Sequence, residues 1–305
     1  MDRERWAIVM DAVHRACRVV KYSGRTPRYA SWLIVAMYLW SVMHDRCLSW
    51  ACDRGHYGGI FRPRGKLPSI SQFTRRVNSD YVQAVLKHVH DQLVSCGIVS
   101  ARGYLDGKPL LVSAVSKDPD AKRGKISGGF AKGYKLHAYI NEHRRIVCWS
   151  VMGLNEDEKT VALEMCDYIP ASPSPDAMIL ADSNYDAHPL HRKMDQGLGM
   201  PLLTPLRAQQ RVGPQGHHPV TLRQMGEQRR AAVALWETNP GLAHYLLKSR
   251  NNAEGVFSVL SVACGLSATL ASFVRRLHRV RRWVGAKIIL YHARLLAQEK
   301  LAAVA

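Results

Sequence analysis

Apolar residues recur at helical spacing over residues 2–20 and again over 30–43, and the pattern predicts a helix in each place. The stretch GHYGGIFRPRGKLPS (55–69) is punctuated by Gly and Pro and carries cations, which marks a loop. SISQFTRRVNSDYVQAVLKHVHDQLV (69–94) then reads as two helices split at Asn78–Asp80, with Ser69 or Ser71 placed to cap the first and Arg75 and Arg76 on it. From residue 100 the period changes. YLDGKPLLVSAV (104–115), GYKLHAYIN (133–141) and RIVCWSVMGL (145–154) alternate as strands, and KDPDAKRGKISGGFAKG (117–133) reads as a basic, Gly-rich loop. A helix over Lys159–Tyr168 follows, then an apolar run from Ala177 to Ala181 that stops at Asp182. Strand, strand, strand, helix, strand, helix is the order of an RNase H-like α/β sheet, although other α/β folds begin the same way.

The division expected from these patterns has three parts. Residues 1–98 form a helical, helix-turn-helix-like DNA-binding domain or a helical packing domain with solvated arginines, 99–290 an RNase H-like catalytic domain, and 291–305 a helical tail.

Charge changes the picture more than composition does. The 305 residues carry 43 Lys and Arg against 24 Asp and Glu, a formal +19, which points to a polyanionic partner. An anionic membrane surface is the other candidate for such a charge. The longest apolar run, SWLIVAMYLWSVM (31–43), has 13 residues and is too short to span a bilayer. The first twenty residues alternate in charge and show no secretory signal. Seven cysteines without a Cys-x-x-Cys pair suggest reduced thiols inside a cell, and the expected location is cytoplasmic and nucleoid-associated. His44, Cys47, Cys52 and His56 look superficially like a zinc site, but their spacing matches no standard finger and the segment's centre is apolar. No Walker-type or Gly-x-Ser-x-Gly motif supports ATP hydrolysis or serine-esterase chemistry.

One block reverses the sign. Residues 151–200 hold 9 acidic and 3 basic side chains, and Asp182 lies within them. Asp182 is either a turn residue ending a strand or a carboxylate held where α/β folds place their chemistry. Asp106 interrupts the first apolar strand, where a carboxylate has no packing value. Arg250 and Glu254 stand four apart on an expected helix. Two strand carboxylates and one helix carboxylate that converge can hold two divalent ions beside a polyanion. Asp186 reads instead as a cap for a helix beginning near His188, Asp118 and Asp120 as turn residues, and His137 as a sheet-surface residue or a substrate contact. In FVRRLHRVRRWVGAKIILYHARLL (273–296), positions 273, 277, 280 and 284 share a helical face, while Arg275, Arg276, Arg279 and Arg282 lie on others. Those arginines are either a solvated face or DNA-backbone contacts.

YLDGKPL around Asp106, GGFAKGYKLHAYINEHRRIVCWSVMGLNEDE, ILADSNYD around Asp182 and KSRNNAEGVFSVL around Glu254 together resemble the DDE transposases of bacterial insertion sequences, in the IS-four and IS-five grouping. The resemblance implies an RNase H-like core, with Asp106, Asp182 and Glu254 as a catalytic triad binding two Mg²⁺ or Mn²⁺ ions. It implies cleavage at inverted-repeat ends followed by strand transfer into target DNA, with double-stranded DNA as partner and a homodimer in the synaptic complex. Arg75, Arg76, Arg250, Arg275, Arg276, Arg279 and Arg282 are the expected DNA contacts. The family's helix signature keeps its arginine and glutamate here, while its tyrosine place holds Leu247 and its lysine place Ser261. A DNA-binding protein descended from a transposase, with its chemistry impaired, is the alternative reading; a stand-alone RNase H-like nuclease is a third.

Overall fold

The computed structural model describes residues 2–24, 27–95, 97–206 and 225–304, which fall into two compact units. One combines residues 1–96 with 259–305, and the other spans 97–258.

The first unit is helical. Helix α1 (Asp2–Val19) buries Trp6, Val9, Ala12, Val13 and Ala16, the stripe its period foretells. Helix α2 (Ser31–Met43) is buried over Leu33–Val42, because it packs against both α1 and the C-terminal helix. No helix among the described residues is long and apolar enough to cross a membrane. Helix α3 (Ile70–Val77) starts in a capping box in which the Ser69 hydroxyl accepts from the Gln72 N–H and the Gln72 side chain accepts from the Ser69 N–H. Helix α4 (Asp80–Ser95) follows after the short break expected from the sequence.

The chain ends in a 28-residue helix, α10 (Leu277–Val304), which packs on α1, α2 and α4. The boundary expected at 290 falls within this one uninterrupted helix, which buries Ile288, Ile289, Leu290, Tyr291 and Ala293. Its Lys287 is fully buried and donates to the Val42 carbonyl at 2.8 Å and to Asp45 Oδ1 at 2.6 Å, while Arg5 Nε donates to the Leu290 carbonyl at 3.1 Å.

The second unit is built on a curled, mixed sheet. Strands β1 (Arg102–Leu111), β2 (Lys122–Ile126), β3 (Gly129–Asn141), β4 (Ile146–Gly153), β5 (Met178–Ala181) and β6 (Leu202–Leu203) pair in the order β2-β3-β1-β5-β6, with β4 also on β3. β3 runs antiparallel to β1, β2 and β4, whereas β1, β5 and β6 are parallel. This order and these directions are compatible with an RNase H-like core. Strand β2 corrects the reading of 117–133 as loop: Lys122–Ile126 and Gly129–Gly133 form a hairpin, turned at Gly128 and Gly129 with φ of +94° and +141°. Helix α5 (Glu158–Met165) is capped by Asp157, whose Oδ1 accepts from the Lys159 N–H at 2.8 Å. After β5 come α6 (His188–Arg192), α7 (Glu227–Thr238), α8 (Pro240–Lys248) and α9 (Asn251–Val262), the last continuing into the first unit.

Candidate active site

Sheet register brings the two aspartates together. Leu105 pairs with Ala181 across parallel strands β1 and β5, and the next residue on each is Asp106 and Asp182. Tyr104, Leu105, Leu180 and Ala181 are buried, so each carboxylate directly follows a buried apolar pair; Asp182 ends its strand, whereas β1 runs on past Asp106 to buried Leu110. The Asp106 side chain is 15% exposed, and its Oδ1 accepts from the Gly107 N–H at 2.9 Å. Burial pushes its carboxyl above the usual range; the Gly107 N–H and Arg250 oppose this, and the charges of Asp182 and Glu254 add to it. Asp182 Oδ1 accepts from the Asn184 N–H at 2.8 Å and so caps the turn Ser183–Tyr185. Turn residue and strand-end carboxylate are therefore one arrangement, since the cap fixes the side chain at the strand's carboxyl end.

Glu254 stands in the first turn of α9 and is 60% exposed. Arg250, in the turn just before that helix, links it to the sheet: Nη2 lies 3.3 Å from Glu254 Oε1 and Nη1 lies 3.6 Å from Asp106 Oδ1. Asn252 Nδ2 donates to the Tyr104 hydroxyl at 3.2 Å and ties the start of α9 to β1. Asp106 thus feels the charges of both Asp182 and Glu254, and the Arg250 guanidinium lies between it and Glu254.

Among the described residues no three His, Cys, Asp or Glu side chains stand close enough, as placed, to hold a metal ion. The donor set is nonetheless all carboxylate oxygen, which is the chemistry of Mg²⁺ or Mn²⁺, and Arg250 shows that a cation is accommodated there.

The family model described as Transposase DDE domain matches residues 102–291, more than half of the chain. This chain is a DDE transposase family member. No curated protein and no solved structure matched it. The transposase match begins at the first residue of β1 and contains all three carboxylates. Divalent metal ions are the general cofactors of DDE transposases.

Two neighbours of the aspartates escaped the sequence reading. Lys135 on β3 pairs with Glu158 of α5 and feels the charges of both Asp106 and Asp182. Its carbon chain passes over Gly107, where an added Cβ would come within 2.5 Å of Lys135 Cε. The hydroxyl of Tyr185 is buried with no hydrogen-bond partner, and burial together with Asp106 and Asp182 raises its pKa far above the ordinary value. The alternation of Lys135, His137 and Tyr139 on one strand face was the available signal for the lysine.

Other predicted residues have different surroundings. Asp186 does not cap α6, whose N-cap is Ala187 with no side-chain bond. It is buried and bound instead by Arg229, through Nε at 2.7 Å and through Nη2, and by His191 Nε2 at 3.1 Å. Asp118 makes its turn, accepting from the Asp120 N–H at 3.2 Å, and also accepts from the Tyr134 hydroxyl at 2.7 Å. His137 is buried, 1% exposed, with neither ring nitrogen hydrogen-bonded.

In the helical unit, Arg75, Arg276 and Arg279 are exposed. Arg76 donates to Ser31 Oγ at 2.9 Å and lies over the Tyr22 ring, Arg275 Nη1 donates to the Ala271 carbonyl at 2.7 Å, and Arg282 binds Asn78 Oδ1. Of the zinc-like quartet, Cys47 contacts Ser49 Oγ, Cys52 the Leu48 carbonyl and His56 the Trp50 carbonyl, while His44 packs on Trp40 and Trp50. Six cysteines are free, and Cys96 lies outside the described residues.

Proposed function

We propose that this chain is a metal-dependent DNA transposase that cuts at inverted-repeat ends and joins them to target DNA. Asp106, Asp182 and Glu254 are its cation-holding carboxylates, binding two Mg²⁺ or Mn²⁺ ions. The adjacency of Asp106 and Asp182 on paired parallel strands, inside the span of the transposase match, carries this reading. When bound, the divalent ions supply Lewis-acid stabilisation of phosphoryl oxygens and acidify an attacking water or 3′-hydroxyl.

The chain's own residues do the rest. The cap to Asn184 holds Asp182 at the strand end, and the Gly107 N–H holds Asp106. Glu254, more exposed and in the first turn of its helix, completes the set from α9. Arg250 presents a bidentate donor suited to a DNA phosphate once its carboxylates are otherwise neutralised. Residues 1–98, with net charge +8 over the first hundred, serve as the end-binding segment, with Arg75 a contact, and two copies act in a synaptic complex. Ser261 in the lysine place supports a second reading, a DNA-binding descendant with impaired chemistry.

One assay separates the two readings. The chain is given labelled duplexes carrying the repeats that flank its own gene, with Mg²⁺. Cleavage by the parent that is lost in each of Asp106→Ala, Asp182→Ala and Glu254→Ala, with duplex binding retained, is the expected outcome. Binding without cleavage by the parent selects the descendant, and cleavage surviving in all three variants removes the triad.

A further inference from the structure

A cleft of about 830 Å³ opens in the helical unit along one face of α1. Met10 from α1 and Trp32 from the start of α2 contribute half-buried apolar surface, backed by buried Trp6 and Phe61. Its formal charges are all positive: Arg3, Arg62 and Arg64 line it, and no Asp or Glu does.

The loop carrying two of these arginines is fastened in place. Arg54 donates to the carbonyls of Pro63 and Gly65, Tyr29 to that of Leu67, and Trp40 Nε1 to that of His56. Phe61 packs between Trp6 and Trp40, with ring centroids 5.0 and 5.5 Å away, and a β-bridge joins it to Gly58. Pro63 is buried, so exposed Arg62 and Arg64 flank a fixed point at the cleft's margin.

An occupant must bring negative charge to the arginines and a flat or apolar body to the floor. Duplex DNA meets the first need only, because its bases are stacked inside. Single-stranded DNA meets both: successive phosphates for the guanidiniums and unstacked bases for the aromatic and thioether surface. An acidic amphipathic peptide is the rival, but the formal +19 on the whole chain favours the polyanion with the higher charge density. We infer that this cleft is a binding site for single-stranded DNA, with bases on the Met10 and Trp32 floor and phosphates on Arg62 and Arg64. The inference goes beyond the transposase reading and stands apart from the carboxylate site, since its test needs neither cleavage nor metal.

The full chain is titrated without divalent ions against a fluorescein-labelled twelve-nucleotide oligo-dT, against a blunt duplex of arbitrary sequence, and against an acidic amphipathic peptide. Arg62→Gln/Arg64→Gln, at exposed positions, is expected to weaken oligo-dT binding about tenfold and to reduce its salt slope by about 1.4, the share of two single-strand phosphates. Trp32→Leu is expected to weaken oligo-dT binding at least about fivefold while leaving the salt slope and duplex affinity unchanged. Circular dichroism verifies that each variant folds, and the arginine pair alone decides the matter should Trp32→Leu not fold. Unchanged oligo-dT binding in the arginine variant, equal losses on duplex and single strand, or displacement of oligo-dT by the peptide at lower concentration than by unlabelled strand overturns the inference.

Discussion

Arg250 Nη1 lies 3.6 Å from Asp106 Oδ1, so the most buried carboxylate of the candidate site is partnered from within the chain. The same guanidinium reaches Glu254, and without metal it acts as counter-cation to both. A divalent ion entering among these carboxylates has to compete with it. Two unit charges about 4 Å apart interact by about 4 kcal/mol at the effective dielectric of a protein surface, and the exposure of Glu254 reduces this considerably. Arg250→Gln is therefore expected to bind Mn²⁺ at least about threefold more tightly in DNA-free calorimetric titrations. Equal or weaker binding would show that Arg250 does not oppose the ion. Asp182→Asn in the same titration tests the carboxylate site itself, because unaltered Mn²⁺ affinity there removes the site and not merely the role of Arg250.

His137 pairs in register with Gly107 and is buried with both ring nitrogens unpartnered. Burial, assisted by Lys135, pushes its pKa down to about 4. The folded pKa lies below the unfolded one, so the unfolded chain takes up the proton first and stability falls as pH drops from about 6.5 toward 4. At pH 5 the loss relative to neutral pH is on the order of 2 kcal/mol. His137→Leu is expected to flatten this limb of the stability curve, measured by urea unfolding at pH 7 and pH 5. A parallel decline in parent and variant would assign the acid sensitivity to other groups.

Legibility in the sequence followed the range of the interactions. Helix α1 was readable because its burial repeats every turn, α2 because thirteen successive residues are almost all apolar, and the start of α3 because the Ser69 and Gln72 capping box is local. The run ending at Asp182 disclosed β5 because a strand buried among neighbours is apolar throughout. Strand β2 was hidden, because it lies at the sheet edge with Lys122, Arg123 and Lys125 exposed and only Gly124 buried. Asp186 was misread since its partner Arg229 lies 43 residues away, and no local pattern announces such a bond. For α10 the helical pattern was legible through residue 296, but which face it buries was not, because that face is defined by α1, α2 and α4, which are hundreds of positions earlier in the chain.

The Asp186 side chain is 1% exposed and is paired with both Arg229 and His191. Arg229→Ala leaves a buried carboxylate without its bidentate partner, a loss of about 3–5 kcal/mol. Urea unfolding should show this as a lower midpoint, and Asp186→Asn/Arg229→Ala should recover part of it, since the amide carries no charge to strand. A midpoint unchanged in Arg229→Ala would mean that water replaces the guanidinium and that the contact only decorates α7.

Lys287 offers the same test in the helical unit, with the sign of the buried charge reversed. Its side chain is fully buried, its Nζ donates to the Val42 carbonyl and Asp45 Oδ1, and burial lowers its pKa while Asp45 raises it. Asp45 follows α2 with a φ of +56°, so the carboxylate that neutralises α10 comes from a residue held in the left-handed region. Asp45 is 52% exposed, which lets solvent take over part of its work. Asp45→Ala is accordingly expected to cost roughly 2–3 kcal/mol, less than the 3–5 kcal/mol of a fully buried broken pair. Lys287→Met should be milder, because a methionine of similar length removes the charge along with the need for a partner. In Asp45→Ala/Lys287→Met the losses should then fall well short of the sum of the single variants, and a double-mutant cycle by urea unfolding measures that shortfall. Additive losses would mean that the Val42 carbonyl, not Asp45, satisfies the buried ammonium, and that the junction of α2 with α10 rests on that hydrogen bond and on packing rather than on the ion pair.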